Sequence, residues 1–555
     1  MSNFRVSFEA ERRAVTSCAA NFSSVRVSYH ALVTMSILVC ILLISTLVQY
    51  GAGIELGSFL ADNMVLARKP LNARLWGWGE AGDTISIAID GDEIGEASTT
   101  VQDDGSWVIN LPPREASAGP HTVTLTSSTS TVSITNVAFG DVFLCSGQSN
   151  MEFAVAGAFN SDAEIVDSVN YPNLRFANVN KTVADSPQDR VGSKTENYVW
   201  AVSAPDAFGA AWQWPSAACY FFGRDIYRFL GGKVPIGLVS APWGGQSVTA
   251  FSSPDAMADE TCGGTVDSSQ GFTNKYTTEL ENIDIKMKSA VEEATEMFRH
   301  RRRRLPETSQ LWFAMIHPLI NMRFSAVLWY QGEADAGNPS FYACHFPAMI
   351  SDWRRKFDLR LPFYFVQLAA HTTDFSLIRE AQMAALKLAD VSYAVAIDIG
   401  DPASPWGAIH PRRKQEVGRR LALAVWGGPL YRRDVVTSGP VVRGAIVNEE
   451  TSSITVTFVP GTEHHLHANG TAVCDECCDI SPFEIRGSTT GNWTRADFTV
   501  IDNRRALLSI PKGMFPTEVR YDWEGYPQCA LYNGLGGPDN HKGIAATPFH
   551  IDVVR

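Results

Sequence analysis

The Gly-x-Ser-x-Gly elbow of the α/β-hydrolases is missing from this chain. In Gly147-Gln148-Ser149-Asn150-Met151 a methionine stands where the second glycine belongs. That argues against the α/β-hydrolase fold, but not against a serine hydrolase of another kind. The chain also lacks an excess of basic charge. Its formal net charge of -13 makes a nucleic-acid partner a poor fit. It does not exclude an anionic sugar, which a local basic patch can accept. No solenoid-type repeat is present. Cys474, Cys477 and Cys478 stand near His464, His465 and His467, but no second Cys-x-x-Cys completes a zinc site, so disulfides are the better reading. Of 10 cysteines, Cys18 and Cys40 lie in the leader region; the others are even in number, as expected in an oxidising compartment. Their connectivity is not legible.

What the chain does have is a series of apolar runs that end in polar or small residues. A short apolar run bounded by a turn residue reads as a buried strand, and open α/β sheets bind ligands outside the carboxyl ends of their strands. Val142-Phe143-Leu144-Cys145-Ser146 leads into Gly147 and then Ser149. Ile236–Val239 leads into Trp243-Gly244-Gly245-Gln246-Ser247, and Ala326–Tyr330 into Gln331-Gly332-Glu333-Ala334-Asp335. Phe363–Val366 leads into Gln367 and His371, and Tyr393–Ile397 into Asp398, Asp401 and His410-Pro411. Five such ends in succession point to one site built from strand-end loops.

The chemistry follows from the residue types. A serine hydroxyl is a weak nucleophile until a base takes its proton, and histidine is the usual base. Ser149 and His410 are the candidates. Pro411 suits a first helical position, so a helix is predicted over 412–423 with His410 at its entrance. Acyl transfer also needs donors aimed at the developing oxyanion, each worth about 10²–10³-fold in rate. Gly244 and Gly245 can offer close backbone N–H groups, and Gln331 a side-chain amide. Each feature alone has a plainer reading: a capping histidine, an ordinary turn, a hydrogen bond that ties strand ends together.

Taken together, Gly147–Met151, Trp243-Gly244-Gly245, Trp329-Tyr330-Gln331-Gly332-Glu333 and Ile409-His410-Pro411 resemble the sialate O-acetylesterases of the SGNH-hydrolase superfamily. The resemblance extends over Ala314–Leu319, Arg379–Gln382 and Lys414–Gly418, upstream to Asp62–Leu66 and Asp104–Trp107, and to the C-terminal Thr547-Pro548-Phe549. It implies an α/β fold with an SGNH-like three-layer parallel-sheet catalytic domain, flanked by β-sandwich regions. It implies a serine esterase that removes O-acetyl groups from sialic acids without metal or cofactor. Ser149 would be the nucleophile, His410 the base, and Gly245, Gln331 and the Ser149 backbone the oxyanion donors.

Two positions depart from the family pattern. Asp335 stands where an asparagine is usual, and an ionised carboxylate donates no hydrogen bond. Gly407 stands where SGNH enzymes carry an Asp three residues before the histidine. Asp401 is the preferred orienting acid, with Asp398, Glu333 or a backbone carbonyl as alternatives. An acetylxylan-type esterase, or a non-catalytic glycan-binding protein, are the competing readings.

The expected organisation is a leader over 1–53, a β-sandwich domain over 54–136, the esterase domain over 137–429 and a C-terminal β region over 430–555. Ala31–Val48 is an apolar stretch preceded by Arg5, Arg12, Arg13 and Arg26, which reads as a signal peptide or a signal anchor in the membrane. Asn180, Asn469 and Asn492 open glycosylation triplets. Arg299-His300-Arg301-Arg302-Arg303-Arg304 offers a furin-like protease a cleavage site after Arg304. The chain is thus expected in the secretory pathway, lysosomal or secreted.

Overall fold

The structure is a computed structural model that describes residues 53–95, 97–195, 199–262, 308–474, 477–487, 491–534 and 543–555. The leader and the arginine run ending at Arg304 lie outside the described residues.

The fold is mixed α/β, with several sheets, and is organised around one long strand, β1 (Thr131–Gly147). Its first residues alternate between exposed and buried, whereas Val137 to Gly147 are buried throughout. Pairing explains the change. The first half lies antiparallel to Ser117–Thr126, with one face toward water. The second half runs parallel between two other strands, and a parallel sheet covered on both faces needs unbroken apolar sequence. The expected boundary at 136/137 therefore falls inside a continuous strand.

A four-residue helix, α1 (Ser149–Glu152), follows β1 at once. Then come β2 (Leu174–Asn178), α2 (Ala217–Phe229), β3 (Ile236–Pro242), β4 (Ala326–Tyr330), α3 (Pro339–Lys356), β5 (Phe363–Gln367), β6 (Val391–Val395) and α4 (Lys414–Gly427). The parallel strands stand in the order β2-β3-β1-β4-β5-β6. Strands added after β1 lie on both sides of it, so the strand order reverses there. In doubly wound sheets such a reversal opens a crevice at the carboxyl edge, and α1 sits in it.

Each expected strand of this sheet is present, with β6 two residues earlier than its apolar run suggested. Helix α4 departs from expectation. It begins at Lys414, with Arg413 as its N-cap, so Pro411 is not its first residue. The Arg412 backbone N–H is instead taken by the Asp401 carboxylate at 3.3 Å, which holds the segment outside the helix.

Helices α2 and α4 pack closely: a Cβ on Gly418 would lie 2.6 Å from the Cβ of Phe221. Cys145 of β1 is disulfide-bonded to Cys219 of α2. The other described pairs are Cys262–Cys344, Cys474–Cys477 and Cys478–Cys529. All eight cysteines outside the leader are thus paired, three of them those near His464–His467, and among the described residues no cluster suited to a metal ion occurs. Among the described residues, no helix is long and apolar enough to cross a membrane.

Before the sheet, Thr84–Ile89 and Ser106–Asn110 are strands, with Asp90 and Gly91 at positive φ (56° and 90°) in the turn between Thr84–Ile89 and Asp92–Glu93. After it, an eight-stranded sheet has its own core of Ile454, Val456, Phe483, Leu508 and Tyr521. This last region returns to the carboxyl edge of the main sheet: His371 N–H donates to the Gly525 carbonyl at 2.9 Å.

Candidate active site at the carboxyl edge of the sheet

Gly147 ends β1 with φ 135°, and a Cβ there would lie 2.2 Å from the Tyr330 carbonyl oxygen. Only glycine lets the chain leave the strand so close to β4. Gln148 follows, and Ser149 opens α1 half-buried at the floor of the crevice.

His410, 261 residues further along the chain, meets it. Ser149 Oγ lies 2.9 Å from His410 Nε2, and His410 Nδ1 lies 2.7 Å from the Trp406 carbonyl oxygen. A carbonyl only accepts, so Nδ1 carries the ring proton. In the neutral ring, Nε2 is then the acceptor that faces the serine hydroxyl. The Trp212 ring meets His410 edge-to-face at 4.8 Å, with Trp406 and Phe153 packed behind it. Burial lowers the His410 pKa below its ordinary value; the Trp406 carbonyl and Glu152 pull the other way, while Lys414 and His371 add to the lowering. The imidazole is therefore neutral near pH 7.

Asp401 is not the group that orients this ring. Its carboxylate is engaged by Arg412, through Nε at 2.6 Å and Nη2 at 3.1 Å. Burial pushes its pKa up, but Arg412 holds it below the ordinary carboxylate range. Asp398 is likewise taken, paired at both oxygens with Arg420 at 2.6 and 2.8 Å. The orienting partner is the backbone carbonyl of Trp406.

Gln331 is also placed elsewhere. It is fully buried, and its amide nitrogen donates to the Gln246 carbonyl at 3.1 Å and to the Asp335 carboxylate. One N–H joins the loops after β3 and β4 and the other is spent within the loop after β4, so neither is left for a substrate oxyanion. Asp335 also accepts from Val248 N–H at 3.0 Å, and burial raises its pKa to about 6. Gly244 N–H is committed to Glu152 at 2.8 Å. The backbone N–H groups of Ser149 and Gly245 donate to no partner among the described residues. Gly245 is exposed, with φ 74°.

The residues that sequence reasoning missed lie directly beneath this pair. Asn150 donates its amide N–H groups to Glu333 at 2.6 Å and to the Ile409 carbonyl at 2.8 Å. Its oxygen accepts from Lys414 Nζ at 2.6 Å. One side chain thus ties together the turn carrying Ser149, the loop carrying His410, the loop after β4 and the start of α4. Lys414 is fully buried, over the rings of Phe153 and Tyr330; burial brings its pKa down to about 7, against the raising pull of Glu333 and Asp401. Burial raises the Glu333 pKa as well. Adjacency of Asn150 to Ser149 was the one signal available; nothing in the charged run around Lys414 marks it as buried.

Known proteins resemble this chain throughout. A family model described as carbohydrate esterase, sialic acid-specific acetylesterase, matches residues 139–426. A sialate O-acetylesterase from Rattus norvegicus is 31% identical over 537 residues, covering 89% of this chain and 95% of the rat protein. A human one is 29% identical, covering 87% and 91%. The crystal structure of a carbohydrate acetylesterase from Xanthomonas citri superposes with a TM-score of 0.70 at 27% identity, over 90% of this chain and 99% of the other. The matched segment runs from the buried half of β1 to the end of α4 and so contains both Ser149 and His410. The chain belongs to the sialic acid-specific acetylesterase family of carbohydrate esterases and is a carboxylic ester hydrolase.

Proposed function

We propose that this chain removes O-acetyl groups from sialic acids by acyl transfer through Ser149, with His410 as general base. The observation that carries the reading is the 2.9 Å contact from Ser149 Oγ to His410 Nε2, on a ring whose tautomer is set by a carbonyl. The hydroxyl attacks the acetyl carbonyl carbon as His410 takes its proton. The oxyanion rests on the backbone N–H groups of Ser149 and Gly245, without Gln331. His410 then protonates the departing sugar oxygen, leaving an acetylated serine. A water molecule gives its proton to His410 and its oxygen to the acetyl carbon, which releases acetate and restores the hydroxyl. The catalytic core is of SGNH type, with an uncharged orienting partner in place of the usual aspartate.

Substrate choice is read from the family and its relatives, several of which are named sialate O-acetylesterases. Acetate release from O-acetylated sialic acids, compared with acetylated xylan, tests it; faster release from xylan would overturn it. The proposed compartment is the secretory pathway, lysosomal or secreted, supported by four disulfides and the apolar leader. Detection of glycan on the expressed protein, and of the N-terminus that survives, checks this.

A further inference from the structure

Beside Ser149 lies a small cleft whose lining is rich in hydrogen-bond donors. It is bounded by Asn178 at the end of β2, by Lys181 and Lys194, and by Glu152 at the end of α1. Lys181 Nζ is ion-paired with Glu152, and Lys194 Nζ lies 3.8 Å from the same carboxylate. Two ammonium groups thus face one carboxylate, and Glu152 also holds Gly244 N–H.

The two lysines are not equivalent. Lys194 donates to the carbonyls of Gln213 at 2.7 Å and Trp212 at 3.3 Å, so two of its three N–H groups are occupied. Among the described residues Lys181 has only Glu152 and the face of the Trp243 ring, 5.6 Å away, and its side chain is a quarter exposed. The amide nitrogen of Asn178 is buried in the same cleft and donates to nothing among the described residues, although burying an unpaired donor is costly. Spare N–H groups and one surplus positive charge therefore meet at one place.

That place adjoins the nucleophile. A Cβ on Gly244 would lie 3.1 Å from Ser149 Cβ and 3.2 Å from Glu152 Oε2. Trp243 precedes Gly244 in the chain, and Trp212 packs on His410. A sugar whose ester reaches Ser149 can therefore present an anionic group to Lys181.

We propose that Lys181, backed by the Asn178 amide and with Lys194 supplying the second charge, forms an anion subsite that binds the carboxylate of an acidic acetylated sugar. This rests on the sialate-esterase reading and adds the group that selects acidic over neutral substrates. Glu152 keeps the two lysines in place and is not itself the ligand contact.

The test compares an O-acetylated sialic acid with the methyl ester of its carboxylate, for the wild type and for Lys181→Gln and Lys181→Glu. Both substitutions preserve the Asn180-x-Thr182 triplet. Removing a charge-assisted contact lowers the ratio of kcat/KM for acid over methyl ester by about tenfold or more, mainly through KM, and further for the glutamate. The wild-type ratio also falls with added salt, and that of Lys181→Gln less so. A ratio unchanged by both substitutions overturns the subsite. Asn178→Leu, which fills the cleft without a donor, should lower the ratio too. Failure of the wild type to release acetate from either compound would instead defeat the sialate-esterase reading.

Discussion

Two layers meet at the carboxyl edge of this sheet, and they are built on different principles. The upper layer, Ser149 and His410, is half-buried and held largely by backbone: a helix start, a glycine turn and one carbonyl. The lower layer, Asn150, Glu333 and Lys414 with Gln331 and Asp335 alongside, is buried but for the half-buried Glu333 and is held by side chains from separate loops. Removing a group from the upper layer should stop chemistry and leave the protein standing. Removing one from the lower layer should cost stability first, because it strands buried polar partners. The lesson is that an orienting acid is dispensable to the geometry when a buried network fixes the loop bearing the histidine.

The sharpest test of that division is Ser149→Ala, which should lower kcat/KM for an acetyl ester by about 10³-fold or more, with melting temperature nearly unchanged. Background-subtracted acetate release and thermal unfolding check both halves; retained turnover would remove Ser149 from its role. Asn150→Ala should instead reduce both quantities. It leaves Lys414 and Glu333 without their shared partner, at a cost on the order of 3 kcal/mol in denaturant unfolding.

Acidification probes the link between the layers. The His410 pKa is lowered, so its base form persists below the ordinary imidazole range and is lost only as pH falls through that lowered value. The acid limb of kcat/KM should thus lie below pH 6.5. Lys414→Met removes one buried positive charge that disfavours imidazolium, so it should move that limb upward, a shift read from the pH profile. The smallest effect is expected for Asp401→Asn. It weakens an ion pair with a partly exposed arginine, worth below about 1 kcal/mol, and leaves the Trp406 carbonyl on His410. A large loss of kcat there would return Asp401 to the mechanism.

Much of this was legible before any coordinates. The strand ends were, since buried parallel strands require unbroken apolar runs and the residues after them must be those that line the edge. Ser149 and His410 were legible for the same reason. Gln331 and Asp401 were not, because an amide or a carboxylate is assigned by its nearest partner. Those partners, Asp335 with Gln246 and Arg412, compete locally in ways that residue type does not reveal. Likewise, Pro411 suggested a helix start that Asp401 displaced by capturing the next backbone N–H.

From its own order of residues, then, the chain determines a parallel sheet, a hydroxyl and an imidazole delivered to one edge, and an even set of cysteines. Only folding in three dimensions decided which carbonyl steadies the imidazole, which cysteines join, and that a lysine should lie buried beneath the serine. Periodicity is a property of short segments and is read along the chain. Hydrogen-bond and ion-pair choices are made across space, where groups hundreds of residues apart compete for the same donor.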